Sequence, residues 1–288
     1  TNGATPTAAS DLATKGYVDS VAPICDGNDN VSVSSSTTYS GGATGNVVVG
    51  CTAGPTDLDT NTNVIIGSGA GATSVSTGGS RVAVGVNAGA ATQGSSAVAI
   101  GSAAGRTVQG VSSVSIGINA GSGTQGSSAV AVGSSSGRNA QGNFSVAIGL
   151  NAGFDTQGAN SVAIGSDSAS ASQAGTAIAI GNEAGRYTQS SGGVAIGQTA
   201  GRTKQGTDAI AIGNSAGGST QGTSSVAIGD FAGTTQQGGN SVAIGYVAGS
   251  NTQGSSAIAI GDVAGQTAQG SNSVANGSSA GAGPQGSN

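Results

Sequence analysis

The sequence predicts an all-β fold: a parallel β-solenoid, or β-roll, of about 15 coils built on a repeat of 16 residues. Three observations predict it. A phrase of the form Val/Ile-small-Ile/Val-Gly recurs from Val82 to Asn276, and its closing glycines fall at 85, 101, 117 and onward to 277 without a slip. Eight residues after each of those glycines stands a glutamine. Inside the phrase, Val98, Ala99 and Ile100 alternate large, small, large, the period-2 signature of a strand with one buried face.

Taken in order, residues 1–45 read as an N-terminal connector with a short helix and a Ser/Gly-rich loop. Ser10 or Asp11 can cap the helix, and Leu12, Tyr17 and Val18 share part of one face, with Gly16 as a weak point. So short a helix needs partners to hold in water. From Pro23 to Gly45 the chain is rich in Ser, Thr, Gly and Asn and reads as loop. Residues 46–81 are irregular entry coils: Val47–Gly50 and Val64–Gly67 repeat the phrase at spacings of 17 and 18, as atypical coils capping an array do. Residues 82–288 are the regular solenoid.

Each regular coil holds two short strands and two corners. After Val98–Ile100, Gly101 and Gly105 bracket a corner in which Ala104 fills a tight position. A polar strand follows, Arg106–Gln109, and Gly110 closes the second corner. Val98 and Ile100 are expected to fill the interior. The glutamines Gln93, Gln109, Gln125, Gln141, Gln157, Gln173, Gln189, Gln205, Gln221, Gln237, Gln253 and Gln269 form one column, expected to stack as an amide ladder. Coils about 4.8 Å apart make a rod of roughly 70 Å. Two large apolar side chains per coil are a thin core for sixteen ordered residues, so rods are expected to pack together through their small-residue faces.

A longer period lies beneath the short one. Thr92, Thr124, Thr156, Thr188, Thr220 and Thr252, like Asn87, Asn119 and Asn151, occur in every second coil, which points to duplication of coil pairs. Ala169, Ala174 and Ser190 replace corner glycines in one region, and Asn276 takes the place of the last buried Ile.

Composition narrows the function. There are 288 residues with 56 glycines, 7% charged and 2% aromatic residues, and a net charge of −5. No basic stripe offers phosphate neutralisation, which argues against nucleic-acid binding. No apolar run approaches the roughly 18 residues of a membrane span. Cys25 and Cys51 either pair or stay free, and two positions do not fix a redox compartment.

Two resemblances follow from particular residues. Asp11-Leu12-Ala13-Thr14-Lys15-Gly16-Tyr17-Val18-Asp19 resembles the ATKxYVD segment of bacteriophage tail fibre proteins, where it sits between shaft segments of a homotrimer. Asn160–Gly165 and Asn240–Gly245 both read Asn-Ser-Val-Ala-Ile-Gly, similar to the head repeats of trimeric autotransporter adhesins. That second resemblance implies a left-handed parallel β-roll with three chains side by side. The chain departs from those heads in its longer period and its added Gln-Gly column.

Chemistry is sparse. Histidine is absent, which removes Ser-His-Asp and Cys-His schemes and the commonest metal ligand. Asp167 and Glu183 stand one coil apart at the same repeat position, but a solvated face is the expected reading of both, ahead of a glycosidase pair. No enzyme, cofactor or metal is expected. One edge is richer: Arg106, Arg138, Phe154, Arg186 and Arg202 stand five residues past a phrase glycine, with Tyr187 beside Arg186 and with Phe231 and Tyr246 just before that corner. Exposed Arg and aromatics are natural contacts for glycans or proteins.

The expected function is a structural and adhesive fibre segment of a virus, of the tail-fibre type, at the virion surface. Its partners would be itself as a homotrimer, other fibre or virion proteins, and a host glycan or protein receptor. Alternatives are a bacterial trimeric adhesin head, a self-assembling extracellular filament, and an ice-binding solenoid. The last is weakened by Lys204 in the middle of the threonine column.

Overall fold

A computed structural model describes residues 45–50, 53–54, 62–71 and 79–287, together with the strands 24–25, 31–33, 38–39 and 57–58. The expected helix near residue 10 and the Cys25–Cys51 disulfide lie outside the described residues. No helix occurs among those that are described.

Two parallel sheets face each other along the rod. The first is built from the phrase. Val98–Ile100 pairs with Val114–Ile116 in the register Val98↔Val114, Ala99↔Ser115, Ile100↔Ile116, and the same 16-residue step carries the sheet to Val274–Asn276. Of its seventeen strands among the described residues, only Ile24–Cys25 runs antiparallel. Val31–Val33 pairs with Val47–Val49 one 16-residue step later, so the parallel array already has a strand inside the segment read from sequence as connector. The second sheet has twelve strands of two residues, from Thr92–Gln93 to Ala268–Gln269, each ending on the column glutamine. A separate pair joins Thr38–Tyr39 to Asp57–Leu58.

The face of the phrase is the reverse of the sequence expectation. Ala99 is completely buried, Val98 is half-buried and Ile100 is 38% exposed. The same burial pattern repeats through the regular coils, so the interior is lined mainly by alanines, Ala147, Ala163, Ala179 and onward from the strands and Ala152, Ala184, Ala200 and onward from the corners, with buried serines at Ser115, Ser136 and Ser168. Alternation alone cannot say which of two faces is inside, and a one-residue slip exchanges them. The deciding factor is the opposite wall. Each coil sends a glutamine side chain across the interior, and an alanine methyl leaves it room where a Val or Ile would not. Asn276 therefore replaces an outward residue, not a buried one, and is itself exposed.

Backbone geometry explains the corners. Gly213 has φ +128°, and a Cβ there would lie 2.5 Å from the carbonyl oxygen of Gly229 in the next coil, so only glycine fits. Two residues past each phrase glycine the chain is left-handed, with φ of 55°, 57° and 53° at Asn87, Asn119 and Asn151. Asparagine tolerates that conformation better than most residues. At the entry the inward column turns polar: Asn46 Oδ1 accepts from Asn63 N and Nδ2, each at 2.9 Å, and the buried Arg81 donates to Asn63 Oδ1 and to the Gln93 carbonyl.

Candidate binding edge

The glutamine column is buried, at 0–3% exposure, and belongs to the scaffold. Every glutamine from Gln93 to Gln269 donates through Nε2 to the carbonyl eleven residues earlier, at 2.6–2.8 Å. That bond ties the polar sheet to the phrase sheet within one coil. The expected amide ladder is only partial: Gln125, Gln173, Gln189, Gln205 and Gln253 also donate to the next glutamine, at 3.0–3.2 Å. The column is thus chiefly a set of cross-braces, with a ladder as its second role.

The edge residues divide into a cluster and outliers. Arg138, Phe154, Arg186, Tyr187 and Arg202 come together because the 16-residue step stacks equal repeat positions above one another. Arg138 lies over the Phe154 ring at 5.2 Å, and Arg186 and Arg202 lie over Tyr187 at 5.1 and 5.6 Å. Glu183 joins both arginines. Arg186 Nη1 donates to its Oε1 at 2.8 Å, and Arg202 Nε sits 2.6 Å from its Oε2 at an angle outside hydrogen-bond geometry. Glu183 is therefore the hub of a charge network, and the solvated-face reading of it is too simple. Asp167 instead accepts from Asn151 Nδ2 and Ser166 Oγ, each at 3.1 Å.

Between Phe154 and Tyr187 lies a groove of about 330 Å³, lined also by Asn151, Asp155, Asp167, Ser170, Ala171 and Arg186. Compared with known proteins, the chain matches no family model, no curated sequence and no solved structure. The groove's residues rest on geometry alone. Arg106 stands apart from it, exposed, with the coil of Ser122 between it and Arg138. Phe231 and Tyr246, 40% and 55% exposed, lie further along; Phe231 borders a second hollow with Thr234, Thr235, Val247, Ser250 and Asn251. Sequence reading missed Asn151, Asp155 and Ser170. Aligning the coils in register, and looking for small residues flanked by aromatics one coil away, would have found them.

The threonines of alternate coils are exposed on the polar sheet, as is Lys204 in the same column. Among the described residues no helix is long and apolar enough to cross a membrane.

Proposed function

We propose that this chain is a non-enzymatic fibre segment of a virus, of the bacteriophage tail-fibre type, which associates as a homotrimer and supports attachment to a host surface. The observation that carries the reading is the outward face of the phrase sheet. From Val82 to Val274 it presents two columns of Val and Ile with no charged residue in either. Ile100, Ile116, Ile148, Ile212, Ile228, Ile244 and Ile260 are each 36–38% exposed along it. A flat apolar strip of this length, without the lysines or prolines that keep solitary sheets apart, suits a face covered by copies of itself. The partners are therefore large-residue faces, since the small-residue faces are already used inside the coil.

The Ala13–Asp19 segment supports the viral setting. The repeated Asn-Ser-Val-Ala-Ile-Gly supports the second reading, a bacterial trimeric adhesin head. Immunogold labelling with antibodies against the solenoid separates them. Label on virion appendages is the expected result, and label confined to a bacterial cell surface would overturn the viral reading in favour of the adhesin.

A further inference from the structure

We propose that the groove between Phe154 and Tyr187 binds a neutral hexopyranose ring of a glycan. The coil between the two aromatics, residues 165–180, carries only Ser170 and Ala171 at the positions where its neighbours carry rings, so the groove is one coil wide. Its walls rise from backbones two coils apart, about 9.6 Å along the rod. Stacking takes about 3.5–4 Å on each side of an inserted ring, so one saturated ring fits between the two.

The outer faces of the walls are already occupied. Arg138 comes from the coil beyond Phe154, and Arg202 from the coil beyond Tyr187, so coil order places both guanidinium groups on the sides away from the groove. They act as buttresses that hold the rings, while Arg186, which also lies over Tyr187 and lines the groove, shares that wall, so Phe154 offers the clear inner face for C–H contacts. The polar complement suits hydroxyl donors. The Asp155 carboxylate accepts only from Asn139 Nδ2 among the described residues, and a carboxylate has about four acceptor sites. Asp167 likewise retains acceptor capacity beyond its two bonds. The one cation in the lining, Arg186, is paired with Glu183, so the two carboxylates set the sign of the groove and disfavour anionic sugars and phosphates. The volume lies at the small end of the ~300–1,000 Å³ typical of ligand sites.

The repeat itself is altered beside this groove. Ala169, completely buried at φ +47°, replaces the corner glycine next to Ser170.

The inference deepens the attachment reading and rests on it for its biological setting, although the groove itself is built by a single chain. The full chain should be titrated with neutral di- and trisaccharides of glucose, galactose and mannose, and with sialyllactose, using saturation-transfer NMR and calorimetry. At least one neutral sugar is expected to bind. Phe154→Ala and Tyr187→Ala should each weaken binding about tenfold or more. Ser170→Tyr, which fills the groove, should abolish it, and Arg106→Ala should leave it unchanged. Circular dichroism confirms that each variant is folded. No neutral sugar bound at millimolar concentration, binding of the anionic sugar alone, or undiminished binding in Tyr187→Ala would overturn the proposal. Mass measured on the same samples keeps the two readings apart: a monomer that binds through the groove refutes only the trimeric fibre, and a trimer that binds no neutral sugar refutes only the groove.

Discussion

Val247 and Val263 sit at φ +57° and +58°, in the left-handed region that β-branched residues resist. The equivalent position holds Asn87, Asn119 and Asn151 in other coils, so the backbone demands that conformation everywhere and the valines bear its cost. Val247→Asn should therefore stabilise the protein by about 1 kcal/mol, read as a rise in denaturation midpoint; a fall would contradict the assigned geometry. The glutamine brace makes a second prediction. Gln205 Nε2 faces the Val194 carbonyl at 2.7 Å and the Ala209 carbonyl and Gln221 Oε1 at 3.1 Å each, so all three neighbours are acceptors. In Gln205→Glu only a protonated carboxyl can donate there, and burial raises its folded pKa above the ordinary ~4.3 of the unfolded chain. The native state then holds a proton that the unfolded state releases. The variant should be most stable below about pH 4 and lose about 1.4 kcal/mol per pH unit above it, until the folded pKa is reached. Denaturant melts at pH 4 and pH 7 check the sign, since wild type carries no such group at this position.

At the scale of the strand, the central finding is which face is inside. Ala211 is completely buried and its neighbour Ile212 is 37% exposed. Ala211→Leu should unfold the chain or cost more than about 3 kcal/mol by overpacking an interior already shared with Gln221, whereas Ile212→Thr should leave each coil intact. Chemical denaturation of the two variants in parallel distinguishes them, and the opposite order would restore the register expected from sequence. In the regular array the phrase strands, corners and glutamine column were legible because a fixed period displays them directly, although the polar strand is Val108–Gln109, shorter than the expected Arg106–Gln109, and the strand Val31–Val33 lay hidden in the segment read as connector. The orientation was not, because Val-Ala-Ile reads equally well with either face inward. Only the side chain arriving from the other sheet decides it, as where Gln125 Oε1 accepts from Ser115 Oγ, and that contact is made by residues ten apart with no local signal. The groove was half legible for a related reason. Phe154 and Tyr187 stood out as rare aromatics, but the small pair Ser170-Ala171 becomes informative only when coils are stacked in register.

At the scale of the molecule, a strictly repeated coil makes long-range order from one local rule. Fifteen steps of about 4.8 Å along the sixteen parallel strands of the phrase sheet give a rod near 70 Å. Its interior of alanine and glutamine buries little large apolar surface, while the Val and Ile columns remain half out of water. The stabilisation missing from a single rod is available by placing those columns against one another, which ties the reversed register to the proposed trimer. Sedimentation equilibrium at micromolar concentration tests that link most directly. A homotrimer should give three times the chain mass of 26.4 kDa, and Ile212→Lys with Ile228→Lys should reduce it to one. A stable, folded wild-type monomer would contradict the account.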